Sequence, residues 1–157
     1  DRGINRIFPD LMSYYFDNKK LYIRSLHSTR PWQYILDLIR AYLHLAKKSS
    51  LSNKKKFEGP WNFSSDLNNH KSVFDMIKFL DKKYKNIKYK KMKNTIKEKN
   101  YLHISNQKVK TILNFKYKYN FEEMLSESLD WFKFQSLNSK KELFNFSIEK
   151  IEAYYHK

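Results

Sequence analysis

The sequence predicts an α/β fold, α+β-like over this stretch, in which helices dominate and strands are short. Three observations carry that expectation. Apolar residues recur at helical spacing through much of the chain. The strand-like runs between them are only a few residues long. At 157 residues, 41% of them hydrophobic and 17% aromatic, the chain can bury the core of one domain or of part of a larger one.

The first helix is expected over residues 6–17, with Ile7, Leu11 and Tyr15 on one stripe and Phe8 and Met12 beside it. Pro9 suits a first turn. Leu21 to Arg24 reads as a strand, and Trp32 to Ile35 as an extended run. Leu36 to Lys48 is a helix with Asp37, Arg40, His44 and Lys47 on a polar, solvated face. Leu38, Ile39, Tyr42, Leu45 and Ala46 cover the remainder. Trp61 to Phe63 follows the Gly59-Pro60 turn as a short strand. Ser72 to Tyr84 is a helix with Val73, Phe74, Ile77, Leu80 and Tyr84 inside. Ile87 to Lys91 and Tyr101 to Ile104 read as strands. Asn106 to Leu113 is a helix capped by Ser105 or Asn106. Asn120 and Glu123 form a capping box for a helix to about Leu137. Residues 138–145 read as a linker, and Ser147 as the cap of the last helix.

The net charge of +16 raises the possibility of a small basic nucleic-acid-binding module. Composition favours another account. The chain is rich in Lys, Asn, Ile, Phe and Tyr and poor in Gly and Pro, as AT-rich coding would make it. Its cations are scattered apart from Lys54-Lys55-Lys56 and the stretch 82–99, so a nucleic-acid partner is not expected. No apolar run approaches the roughly 20 residues of a membrane helix. With no cysteine, disulfides and thiol catalysis are excluded. The start Asp1-Arg2-Gly3, without methionine or leader, points to a fragment or a processed chain.

Catalytic signatures are sparse. None of His27, His44, His70, His103 and His156 has metal-ligand spacing to another ligand. Glu122, Glu123 and Glu142 read as helix surface and caps. Two glycines, Gly3 and Gly59, cannot build a dinucleotide-binding loop. Tyr-x-x-x-Lys occurs three times, as chance allows among 12 tyrosines and many lysines. The distinctive stretch is Arg30-Pro31-Trp32-Gln33. Proline fixes its own φ and pushes Arg30 towards an extended backbone. Arg30 then reads either as a rigidly held phosphate-binding fork or as a surface charge beside a core tryptophan.

A series of segments resembles the C-terminal part of CDP-glucose 4,6-dehydratases, of the extended short-chain dehydrogenase/reductase superfamily. They are Asn5 to Asp10, Ile23 through Gln33, Ala41 to Ala46, Trp61 to Phe63, Glu98 with Tyr101-Leu102, Lys108, Asp130 to Lys133, and Ile148 to Tyr154. The pattern departs at Arg2, Tyr34, Ser64, Ser105 to Gln107, and Asn114-Phe115. The resemblance implies the helix-rich, substrate-binding C-terminal portion of an extended Rossmann-type nucleotide-sugar enzyme. NAD, the Tyr/Lys pair and the acid–base carboxylates would lie on an N-terminal domain missing from this chain, leaving the fragment inactive alone. The family reaction oxidises C4 of the sugar, eliminates water across C5 and C6 and returns hydride to C6. Other NAD-dependent nucleotide-sugar epimerases and dehydratases share this architecture. By resemblance Arg30 would hold the substrate diphosphate with Arg6 beside it, and Tyr22, Ile23 and Arg24 would border the base. Glu98 and Tyr101 would touch the ribose or close a lid. A CDP-glucose substrate, a homodimer, a cytoplasmic location and a role in lipopolysaccharide O-antigen synthesis are also implied.

Overall fold

The structure, a computed structural model, describes residues 6–17, 19–51, 55–85, 87–92 and 100–157; Glu98 and the side chain of Tyr84 lie outside it. Helix α1 (Ile7–Phe16) buries Leu11 and Met12 and packs against α5 (Phe121–Leu137). Strand β1 (Leu21–Ile23) alternates, with Leu21 and Ile23 in the core and Tyr22 outside. It runs parallel to β4 (Tyr89–Lys91), with Ile23 opposite Lys91.

The second extended segment lies earlier than the sequence predicts. Strand β2 is Thr29–Pro31, antiparallel to β3 (His70–Ser72), with Arg30 opposite Lys71. Trp32 leaves the ladder and ties it from the side, its indole N–H donating to Lys71 O at 2.8 Å. Residues 61–63 form no strand, because no described backbone lies alongside to pair with them. Their rings pack instead in a small second core with Ala41, Val109, Leu113 and Phe115. Of the run 101–104, only Tyr101 bridges, to Thr29.

Local capping chemistry sets three of the six described α-helix starts. Helix α3 (Val73–Tyr84) begins at a capping box of Ser72 and Asp75, and α5 at one of Asn120 and Glu123. Helix α6 (Lys140–His156) begins at a third, Ser139 with Glu142, so the expected linker over 138–145 is helix. Ser147 is not a cap: it lies mid-helix, donating to Leu143 O and accepting from the Trp131 indole. Asn106 precedes α4 (Gln107–Thr111) without capping it through its side chain. Its amide instead donates to Ser64 O, Ser65 O and Asp66 Oδ1. In α3 the buried face is Val73, Met76, Ile77 and Leu80, while Phe74, expected inside, is 42% exposed.

Helix α2 (Ile35–Ser50) turns the opposite way to its amphipathic pattern. Asp37 is 1% exposed and Ala41 is fully buried, whereas Ile35, Ile39, Tyr42 and Leu43 face outward. His44, expected in solvent, is half-buried with its ring 5.8 Å from that of Phe115. The cause is a buried polar hub. The Asp37 carboxylate accepts from the backbone N–H of Lys118 (2.9 Å) and Tyr119 (3.2 Å) and from the Tyr154 hydroxyl (2.6 Å). Arg40 Nε donates to the same hydroxyl at 2.8 Å, and Arg40 Nη2 donates to Lys116 O. The Arg40 guanidinium also lies 4.2 Å over the Phe115 ring. Lys118 Nζ reaches Tyr154 O at 2.7 Å, placing a cation at the C-terminal end of α6. The hub joins α2, the segment before α5, and α6. Burial and the Asp37 hydrogen bond hold the Tyr154 phenol above its ordinary range, so it stays neutral and donates.

Candidate functional site

The loop from β1 to β2 begins with Arg24 and leads into Arg30, and both ends are anchored. Ile23 O accepts from Met92 N at 2.9 Å. Thr29 N donates to Asn100 O (2.8 Å) and Thr29 O accepts from Leu102 N (3.2 Å), so β2 is flanked on both sides. Between them the first turn of α3 holds the loop: Val73 N donates to Ser28 O (3.2 Å) and Phe74 N to Leu26 O (2.9 Å). Helix N-termini leave such donors without intrahelical partners, and here the loop carbonyls satisfy them.

These anchors shape a cleft of about 300 Å³. Arg24 and Arg30 line it together with Tyr22 and Ile23. Asp10 enters from α1, where it shares a face with Ile7 one turn earlier. Val73 and the buried Ser28 complete the wall nearest α3. Ser28 Oγ has no hydrogen-bond partner, a cost that buried hydroxyls rarely carry. Burial pushes the Asp10 carboxyl above its ordinary range, and the nearby Arg24 charge opposes that push. The cleft is therefore cationic on balance, with two guanidiniums, one partly desolvated carboxyl, and aliphatic and aromatic flanks. That is a binding chemistry for a planar anionic ligand.

Four of the residues singled out from sequence meet here: Tyr22, Ile23, Arg24 and Arg30. Arg6 precedes α1, is exposed and does not line the cleft. Tyr101 does not line it either; it is 57% exposed, bridges Thr29, and stacks at 6.3 Å with the His103 ring. Sequence reasoning passed over Asp10, Ser28 and Val73. For Asp10 a signal existed in its i, i+3 spacing from Ile7; Ser28 and Val73 come together only through the loop–helix contact. Among the described residues no group of three or more His, Asp or Glu side chains could hold a metal ion. Nor is any helix there long and apolar enough to cross a membrane.

The helix-rich architecture with few short strands is that of part of an extended Rossmann-type fold. In fold the chain matches UDP-glucuronic acid 4-epimerase from Bacillus cereus, a structure in complex with UDP-glucuronic acid and NAD. The TM-score is 0.63 at 22% identity, over 82% of this chain and 40% of that one. In sequence it resembles CDP-glucose 4,6-dehydratase of Salmonella typhimurium strain LT2, 32% identical over 73 residues. That stretch is 46% of this chain and 20% of the dehydratase, so the chain matches well under half the length of either relative. No family model matches the sequence.

Proposed function

We propose that this chain is the nucleotide-sugar-binding C-terminal portion of an NAD-dependent enzyme resembling CDP-glucose 4,6-dehydratase. The observation that carries the reading is the convergence of Arg24 and Arg30, 6 positions apart in the numbering, on one cleft with Tyr22 and Ile23. In this reading Arg30 donates a planar pair of N–H groups to the diphosphate. Its strand is held between β3 and the 100–102 segment, so little side-chain search remains on binding. Arg24 lies beside the base, where a guanidinium can stack, and Tyr22 offers an aromatic face at the mouth.

The chain's own residues do not fit NAD. Two glycines in 157 residues cannot form the phosphate-cradling loop, and Gly59, at φ 80, sits in a turn before Trp61. The cofactor and the acid–base groups would then belong to residues outside this chain. The outward apolar residues of α2, Ile35, Ile39, Tyr42 and Leu43, support that reading, since a neighbouring layer would cover them. The reaction proposed for the whole enzyme is dehydration of CDP-glucose to CDP-4-keto-6-deoxyglucose. This portion contributes positioning, which lowers a barrier without making bonds. A homodimer and a cytoplasmic location belong to the same reading. The fold match to an epimerase supports a second one, an epimerase acting on a different nucleotide sugar.

The test is Arg30→Ala in the protein made from its complete reading frame, titrated with CDP by calorimetry. Loss of a charge-assisted phosphate contact should weaken binding by about 10- to 100-fold. Unchanged CDP affinity would remove Arg30 from the site.

A further inference from the structure

We propose that the Ser28 hydroxyl is a ligand-binding group of this cleft, donating a hydrogen bond to a phosphoryl oxygen of the bound nucleotide beside Arg30. The inference rests on the reading of the cleft as a nucleotide site. Ser28 is 2% exposed, and its Oγ has no hydrogen-bond partner among the described residues. A buried hydroxyl in that state costs stability, and most find a partner. Ser28 also lines the cleft, between the two guanidiniums of Arg24 and Arg30 in the sequence. A buried donor at the wall of a cationic cleft is placed as a group whose partner arrives with the ligand.

The backbone fixes where that donor stands. Ser28 N donates to Ser25 O at 3.3 Å, and Ser28 O accepts from Val73 N at 3.2 Å. The second bond carries the β2–β3 pairing one residue further, since Thr29 stands opposite Ser72. Side chains alternate along extended backbone, so Ser28 and Arg30 fall on one face and Thr29 on the other. The cleft is lined accordingly, by Ser28 and Arg30 and not by Thr29. Two residues of strand separate the pair by about 6.7 Å. A long arginine and a short serine at that spacing can meet neighbouring oxygens of one diphosphate. Arg30 Nη1 donates to Thr29 O at 2.9 Å, which keeps its guanidinium close to the strand. Anionic phosphoryl oxygens accept hydrogen bonds more strongly than the neutral hydroxyls of a sugar, and they are the groups a cationic cleft draws in.

The experiment takes the complete protein and its Ser28→Ala, Ser28→Cys and Arg30→Ala variants. CDP affinity is measured by calorimetry, and the phosphorus NMR spectrum of CDP is recorded at saturation. Ser28→Ala should weaken CDP by about 10-fold or more and move a phosphorus resonance of the bound ligand. Ser28→Cys keeps the shape with a weak donor and should fall close to Ser28→Ala. Without ligand, Ser28→Ala should melt at or above the wild-type temperature, because alanine removes an unpartnered polar group. A lower melting temperature for Ser28→Ala would mean that the hydroxyl is bonded within the protein, and would overturn the assignment. So would a CDP affinity within about two-fold of wild type, or weaker binding with both phosphorus resonances unmoved, while Arg30→Ala still weakens CDP. If CDP does not bind, or Arg30→Ala leaves its affinity unchanged, the nucleotide reading of the cleft fails and the assignment falls with it.

Discussion

Truncating Asp37 to alanine should be among the most damaging single changes in this protein. The side chain is 1% exposed and accepts three hydrogen bonds, from Lys118 N, Tyr119 N and the Tyr154 hydroxyl, at 2.6–3.2 Å. Arg40 Nη2 lies 3.5 Å away, a long contact that contributes less. Asp37→Ala leaves two backbone donors and a phenol without an acceptor, and leaves Arg40 without its anion. Each hydrogen bond to a charged group contributes about 1.5–3 kcal/mol, and the set is not additive because the partners share one acceptor. Removing one side of such a buried, charged hub costs about 3–5 kcal/mol. That is a large part of the roughly 5–15 kcal/mol that holds a domain folded. At about 2–4 °C per kcal/mol the melting temperature should fall by roughly 6–20 °C. Urea unfolding followed by fluorescence of Trp32, Trp61 and Trp131 reads this directly. Tyr154→Phe removes one of the donors to Asp37 and the acceptor of Arg40 Nε, and should cost about 1–3 kcal/mol. The double variant should then cost less than the sum of the two. An unfolding free energy for Asp37→Ala within about 1 kcal/mol of wild type would refute the hub.

Two further predictions concern the caps and the pH response. Ser139→Ala removes the hydroxyl that accepts from Glu142 N and should lower stability by about 1 kcal/mol; no change in urea midpoint would return residues 138–145 to a linker. Burial, then the His103 charge whose ring lies 5.3 Å away, pulls the His70 imidazole below its ordinary range. The unfolded chain therefore binds the proton more readily, so this contribution is full above the ordinary histidine value and is lost as pH falls through the depressed one. Stability should decline as pH falls below the ordinary histidine value of about 6.5, and His70→Gln should flatten the decline; equal slopes in the two proteins would exclude His70 as the source.

Much of the local structure was legible in the chain. The helical periods of α1, α3 and α5 and the capping box at Asn120 and Glu123 depend on bonds between residues three or four apart. The box at Ser139 and Glu142 obeys the same rule. Its signal was present in Ser-x-x-Glu and was masked by the Lys140-Lys141 pair and the polar run before it. Arg30 was singled out because proline restricts the residue before it, and β2 does hold it extended.

The orientation of α2 was not legible. Its pattern supports an inward apolar face on Ile39 and Tyr42, and the tertiary structure instead buries Asp37. Burying a carboxylate is costly unless donors surround it. Those donors come from positions about 80 and 117 residues further on. The run 61–63 failed as a strand for the related reason that a strand exists only with a neighbour to pair with. By itself the sequence determined where α3 and α5 begin and that Arg30 is held extended before Pro31. Only the tertiary structure decided that Arg24, Arg30 and Asp10 share one cleft and that α2 turns its acid inward. Capping and periodicity are settled within one turn of backbone, whereas burial and pairing are settled by whatever residues the fold brings alongside.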